Sequence, residues 1–270
     1  MVIAWLRRSF IGRRWVNRFS LDLPDFILRA FTGRLHWPPY SLRAFVGGAN
    51  FDTVGHWFLE EFRGLGLLQE RGRILDIGCG CGRIAFALAM DAAVRKLEIE
   101  YDGMDIDRAN IQWCQRHITP RNASFRFYLA DCASPSYNPH GQQAPTTYQF
   151  PFSDGKFDLI LLISVFTHML EDEMRQYLSE AARMLTPNGR VYATFFLFQN
   201  LDEVRDGLKR HAGWTFRHTC RNAAVSRLDY PNHAVAYLES FVRDMAFRSG
   251  LRVIEPTRYG SQDLLLFERH

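Results

Sequence analysis

One glycine-rich stretch constrains the fold of this 270-residue chain more than any other feature. Residues 73–83 read RILDIGCGCGR, an apolar run followed by glycines at alternate positions, Gly78, Gly80 and Gly82. The apolar run predicts a buried strand, and the residues after the last glycine predict a helix. The glycines between them let a ligand approach the main chain closely, because no side chain intervenes. This order is typical of α/β proteins that bind a ligand at the carboxyl ends of parallel strands.

The chain beyond this loop alternates between short apolar runs and amphipathic segments. Seven runs are predicted strands: residues 74–77, 97–104, 125–129, 157–163, 191–197, 251–255 and 264–267. Predicted helices cover residues 83–90, 108–117, 171–185 and 234–247, and Asp107 is the expected N-cap of the second. Such alternation predicts a mostly parallel sheet. We therefore expect an α/β fold with a Rossmann-like seven-stranded mostly parallel sheet, helices on both faces and an N-terminal helical extension.

Two long segments interrupt the alternation. Residues 132–151 are rich in proline, serine, tyrosine and glutamine and predict a long surface loop. Residues 199–233 predict an insertion between the fifth strand and the next helix. Loops of this length commonly carry selectivity for a ligand.

The first 50 residues differ in charge from the rest. They hold eight arginines against two aspartates, a net charge of +6, whereas the whole chain carries +4. Aromatic and aliphatic residues interleave with these arginines, which predicts an amphipathic surface for anionic lipid or nucleic acid. The alternatives are a helix packed on the domain with a solvated basic face and an organelle transit peptide.

Cysteine content and hydropathy indicate the compartment. Five cysteines, an odd number, lie mostly in predicted core elements, which favours reduced thiols over a disulfide scaffold. No apolar run approaches the roughly 20 residues of a bilayer-spanning helix, and the first residues lack the apolar core of a secretion signal. We expect a cytoplasmic protein. Its basic residues 1–35 are candidates for peripheral contact with a membrane.

Three nucleotide-type ligands compete for the glycine loop. A phosphate-binding P-loop has Gly-Lys-Ser/Thr at the helix start, where this chain has Arg83 and Ile84. A dinucleotide-binding loop would place a glycine at position 83. The segment LDIGCGCGR instead resembles the first motif of the class I methyltransferases that depend on S-adenosylmethionine (SAM).

Four further segments resemble motifs of this family in the same order. They are YDGMDID at the end of the second strand, FRFYLADCAS through and after the third, FPFSDGKFDLILLISVFTHM around the fourth and MLTPNGRVYATFF at the turn into the fifth. The resemblance is closest to bacterial methyltransferases of the type 11/12 sort. It assigns residues 51–270 to a methyltransferase domain, with 199–233 as a substrate-side insertion. Residues 1–50 remain outside it as a basic, aromatic-rich helical extension.

The resemblance implies which residues bind SAM. Asp76 would lie near the ammonium group of the methionine moiety, and Asp131 would lie by the adenine amino group. Asp105 ends the second strand, where its two carboxylate oxygens suit the two ribose hydroxyls. The expected cofactor-binding set is Asp76, Gly78, Cys79, Gly80, Gly82, Asp105, Ile106, Asp131, Cys132, Ser164 and Val165.

A hydroxyl acceptor would also need a base. His168 follows the fourth strand at the carboxyl edge of the predicted sheet, and a histidine titrates near neutral pH, so it is the candidate catalytic residue. Alternatively, His168 caps the following helix or shapes the wall of the pocket. Weaker candidates in the insertion are His211, His218 and His233.

The same resemblance narrows the acceptor without identifying it. It implies a small molecule, a glycan or a lipid-linked glycan, with an oxygen nucleophile favoured. The Asn/Asp-Pro-Pro-aromatic segment typical of base methylation is replaced by residues 164–168, so no specific nucleic acid is expected. No carboxylate cluster suited to magnesium is evident, which predicts a metal-independent reaction. The alternative is a non-catalytic protein of this fold that binds RNA, membrane or a protein partner through its basic arm.

Overall fold

The computed structural model describes residues 18, 20–44, 50–135, 137–209, 211 and 213–270. Most of the basic segment, residues 1–17, and the glycine-rich residues 45–49 lie outside the described residues. The described helices include none that is both long and apolar enough to cross a bilayer.

The chain folds into two compact units. The first comprises the described parts of Met1–Gly72 and Cys79–Ala144, and the second comprises Arg73–Gly78 and the described parts of Pro145–His270. Strand β1, Arg71–Ile77, begins in the first unit and ends in the second. The boundary that the sequence places between residues 50 and 51 stays a prediction.

Five α-helices and two further strands of the first unit lie wholly within its described residues. The helices are α1 Asp22–Phe31, α2 Tyr40–Arg43, α3 Phe51–Gly64, α4 Arg83–Arg95 and α5 Arg108–His117, and the strands are β2 Glu98–Asp105 and β3 Phe125–Leu129. β2 and β3 are parallel, with Tyr101 opposite Phe125. The side chain of Asn50 caps α3 by accepting from Thr53 N, and that of Asp107 caps α5 as predicted.

The second unit is built on the strands that follow. They are β4 Phe157–Leu162, β5 Leu185–Phe198, β6 His218–Cys220, β7 Ala223–Val225, β8 Val235–Leu238, β9 Leu251–Arg258 and β10 Asp263–Arg269. Its α-helices within the described residues are α6 Glu171–Met184, α7 Leu201–Arg205 and α8 Glu239–Arg248. β4 lies parallel between β1 and β5. β5 is long enough to pair with antiparallel β10 over residues 191–195 and with parallel β8 over residues 196–198.

The predicted α/β class with a mostly parallel sheet is confirmed, and every predicted strand forms. The described residues form ten strands rather than seven, because the insertion contributes β6 and β7 and a third strand, β8, follows it. β8 corrects the helix predicted over residues 234–247, since α8 begins only at Glu239. Val235 and Ala236 are fully buried, and an apolar run buried on both sides lacks the periodicity that separates strand from helix.

The predicted surface loop over residues 132–151 is only partly a surface loop. Tyr148 and Phe150 are buried at 4% and 3% exposure. Phe150 N donates to the Glu180 carboxylate at 2.8 Å, and its carbonyl accepts from Arg183. The second half of the segment is therefore bound to α6 through the partly buried ion pair of Glu180 and Arg183, which the polar composition of the loop did not indicate.

Candidate cofactor and acceptor site

The glycine loop has no room for side chains at its two ends. Gly78 and Gly82 have φ of +81° and +72°, in the left-handed region that favours glycine. A Cβ on Gly78 would lie 2.7 Å from Cγ2 of Val165, and one on Gly82 would lie 2.5 Å from Cδ1 of Ile118. Conformation and space together keep this loop as bare main chain, as the sequence predicts.

In the first unit, Asp105 fixes the loop from the end of β2. Its Oδ2 accepts a hydrogen bond from Gly80 N at 2.8 Å, and its Oδ1 accepts from Asp107 N at 2.7 Å. Cys79 N donates to the carbonyl of Met104 at 3.0 Å, which joins the loop to the same strand. Each carboxylate oxygen can accept more than one hydrogen bond, and Asp105 is only half-buried. The carboxylate therefore suits paired hydroxyl donors.

Asp131 and Cys132 follow β3, and Ile106 follows β2, in the same unit. The Asp131 carboxylate is exposed and accepts from Gln142 N at 3.1 Å, so it also closes the loop of residues 132–143. Cys132 is buried and Ile106 is half-buried. The loop-closing role of Asp131 is one that the sequence did not indicate.

The cysteines around the loop are packing residues. All five cysteines are described and none forms a disulfide. Sγ of Cys79 and of Cys114 lie 3.7 and 3.6 Å from the carbonyl oxygen of Gly80. Burial raises the pKa of the Cys81 thiol far above its usual range. The Cys81 thiol therefore remains protonated. Cys79 is suited to contribute its main chain to a ligand.

In the second unit, Asp76 lies within β1, opposite Leu161 of β4, and is 3% exposed. Asp76 is the one carboxylate among the predicted site residues of this unit, so it is the one suited to a cationic group.

Ser164 has a backbone conformation that is uncommon for its residue type. Its φ is +59°, and such strain is concentrated at functional sites. Ser164 N donates to Oγ1 of Thr194 at 2.8 Å, and Ser164 Oγ donates to Oε1 of Gln262 at 2.9 Å. Thr194 Oγ1 donates to the same Gln262 oxygen at 2.6 Å. Sequence reasoning missed Thr194 and Gln262, because Gln262 lies 98 residues from Ser164.

His168 has a defined tautomer. Its Nδ1 lies 3.0 Å from the carbonyl oxygen of His233 and 3.2 Å from that of Asn232. Carbonyls only accept, so Nδ1 carries a proton and Nε2 is the basic nitrogen of the neutral ring. Burial lowers the pKa of His168 and favours this neutral form. His168 does not cap α6, since Leu170 occupies the N-cap position.

The other candidate histidines have different surroundings. His211 is 1% exposed, and its Nε2 lies 3.2 Å from Oδ2 of Asp263. His233 Nδ1 lies 3.0 Å from Oγ of Ser226. His218 is half-buried in β6. The weaker candidates for the base stay predictions.

No group of three or more histidine, cysteine or acidic side chains is placed to hold a metal ion within the residues that the structure describes. Metal independence stays a prediction.

The order of these elements defines a class of protein. A strand that leads into a glycine-rich loop, followed by a strand that ends in a carboxylate, is characteristic of α/β proteins that bind a nucleoside cofactor. Residues 75–193 match the family model described as "Methyltransferase domain". They form a class I SAM-dependent methyltransferase domain, as predicted, and SAM is the cofactor of that family.

Two curated proteins are similar to part of the chain. One is named "Probable tocopherol O-methyltransferase, chloroplastic", from Oryza sativa subsp. japonica, and is 25% identical over 136 residues, 50% of this chain and 32% of the relative. The other is named 27-O-demethylrifamycin SV methyltransferase, from Amycolatopsis mediterranei, and is 26% identical over 138 residues, 51% of this chain and 43% of the relative. The similarity thus spans less than half the length of either relative.

A solved structure shares the fold over more of the chain. The PH0226 protein of Pyrococcus horikoshii OT3 superimposes with a TM-score of 0.57, covering 87% of this chain and 100% of that protein. The two are 17% identical, so the likeness concerns the fold alone.

Proposed function

We propose that this protein transfers the methyl group of SAM to an oxygen atom of a small-molecule, glycan or lipid-linked acceptor, without a metal. The observation that carries the proposal is the tautomer of His168, whose Nδ1 donates to backbone carbonyls so that Nε2 is basic. One similar protein is named as a tocopherol O-methyltransferase, and another acts on 27-O-demethylrifamycin SV by its name. Both names favour oxygen as the acceptor atom.

SAM, when bound, supplies a methyl group already activated on a sulfonium. The chain would bind and orient it. The Asp105 carboxylate would accept from the ribose hydroxyls, Asp131 would accept from the adenine amino group, and Asp76 would face the ammonium group. The main chain from Gly78 to Gly82 would lie along the methionine moiety, because the loop admits no side chain at either end.

His168 would remove the proton from the acceptor hydroxyl. Nε2 would hold that proton, so that the acceptor oxygen has a lone pair available for the methyl group, and S-adenosylhomocysteine would be the other product. The hydrogen bonds from Nδ1 to the carbonyls of Asn232 and His233 would hold the ring and strengthen as it becomes charged. General-base catalysis of this kind contributes about 10²- to 10⁴-fold in rate.

The test uses label transfer from methyl-labelled SAM into cell extract, followed by assay on the labelled acceptor. His168→Asn retains a side-chain donor near the position of Nδ1 but has no basic nitrogen. We expect kcat to fall by about 10² or more while the Kd for SAM, from calorimetry, is unchanged. His140→Ala, in an exposed loop, is the matched control and should retain full activity.

The alternative function gives a different result. A non-catalytic protein of this fold would transfer no label to any component of the extract. An unchanged kcat in the His168→Asn protein would instead exclude His168 as the base, while leaving the methyltransferase assignment intact.

A further inference from the structure

Helix α1 has its apolar side chains outward and its charged side chains inward. Six large apolar residues of α1 and the turn after it are between 47% and 87% exposed: Leu23, Phe26, Ile27, Leu28, Phe31 and Leu35. A surface helix normally buries its apolar face on the domain. We call these six residues the outward face of α1.

A buried polar cluster fixes this orientation. The Asp25 carboxylate accepts from Arg29 Nε at 2.7 Å and from Nη2 of Arg43, and Arg29 also donates to the carbonyl of Trp37 at 2.6 Å. Asp25, Arg29 and Arg43 are each less than 9% exposed. Rotating the helix to bury its apolar face would expose or break this cluster. The outward face is therefore a feature of the folded unit.

One alternative from the sequence, a helix with a solvated basic face, concerns mainly residues 1–17, which lie outside the described residues, and it stays a prediction. Within α1 the arrangement is the reverse. Arg29 and Arg43, two of the eight arginines in the first 50 residues, are buried against Asp25. Apolar side chains occupy the solvent side of α1 instead. Exposed apolar surface of this extent marks a site of interaction with another molecule.

The charge around the outward face is positive. Arg18 and Arg34 are the exposed charged residues within the described part of residues 18–35. The two aspartates of α1 lie on its inner side. The Asp22 carboxylate accepts from the main-chain N and Oγ of Ser41, at 2.8 and 2.7 Å, and Asp25 is buried. The sequence of residues 1–17 adds four arginines and no acid.

We propose that the outward face of α1 docks on an anionic lipid bilayer. The apolar side chains would enter the boundary between headgroups and acyl chains, while the flanking arginines would bind the headgroups. A nucleic-acid surface would present basic side chains at its centre, whereas the centre of this face is aliphatic and aromatic. The inference is independent of methyl transfer.

The test is co-sedimentation of the full chain with vesicles of phosphatidylcholine alone or mixed with phosphatidylglycerol. We expect binding to the mixed vesicles that weakens as salt increases. Leu28→Ser/Phe31→Ser should reduce the partition coefficient about tenfold or more, because two large apolar side chains no longer enter the bilayer. Arg18→Gln should reduce it about fivefold at low salt.

The matched control is Val94→Ser/Leu228→Ser, which removes two apolar side chains that are 81% and 68% exposed elsewhere. It should bind vesicles like the unmodified protein. The single change Phe31→Ser, at a side chain 87% exposed, repeats the test with the least effect on folding.

Three outcomes would overturn the proposal. One is no binding to the anionic vesicles. A second is equal loss in the control and the test variants. The third is a protein dimer, or a complex with an RNA oligonucleotide, that the Phe31→Ser change disrupts while vesicle binding is absent in all variants.

Discussion

At the residue scale, Gly82 is required by both its backbone and its neighbours. Gly82→Ala should lower the free energy of unfolding by about 1–2 kcal/mol for the left-handed conformation and by about 1–3 kcal/mol more for the overlap with Ile118 and Cys114. The matched control is Gly66→Ala in the same unit, where φ is +66° and no atom lies within 4 Å. In urea unfolding, Gly66→Ala should show only the loss of about 1–2 kcal/mol that comes from the left-handed conformation. Equal losses in the two variants would mean that the loop accommodates a side chain.

His168 should also make stability depend on pH. Burial lowers its pKa, so as pH falls below about 6.5 the unfolded chain binds a proton that the folded chain does not. The free energy of unfolding should therefore decrease from about pH 6.5 downward. His168→Asn should flatten this dependence, while His117, whose pKa burial also lowers, contributes equally in both proteins. Urea unfolding at several pH values measures the difference, and parallel curves would contradict a buried neutral His168.

At the element scale, the buried Asp25 cluster holds α1 and α2 together. Asp25→Ala leaves the guanidinium groups of Arg29 and Arg43 buried without their carboxylate, and loss of one partner from a buried ion pair costs about 3–5 kcal/mol. We expect faster proteolysis within residues 20–44 of this variant. Asp22→Ala is the comparison variant, since it removes two hydrogen bonds between α1 and Ser41 of α2 but leaves no guanidinium group buried without its carboxylate. Equal proteolysis of both variants would show that the cluster does not anchor α1.

Elements were predictable where the local pattern was unambiguous. α5 has the predicted bounds because Asp107 caps it and its apolar residues recur at helical spacing. β8 was mistaken for helix because its four residues show no period and are followed directly by α8. The outward apolar face of α1 was also unpredictable, since an amphipathic pattern shows that two faces differ but does not show which one is buried.

At the scale of the whole molecule, the order of strands and helices followed from the sequence. The sheet is larger than predicted because residues 199–233, which looked like an irregular insertion, fold partly as β6 and β7 and lead into β8 beside β5. Three-residue strands such as β6 and β7 are stable only through pairing with neighbours, so their own sequence carries little signal.

The sequence by itself determined strand β1, the glycine loop that follows it and the carboxylate of Asp105, because each depends on residues close together in the chain. It also determined the concentration of arginine near the amino terminus. Only the tertiary structure decided that the carbonyls of Asn232 and His233, 64 and 65 residues from His168, set the tautomer of that ring. It likewise decided which face of α1 meets solvent. Hydrogen-bond partners this distant are brought together by packing, and a local pattern does not encode them.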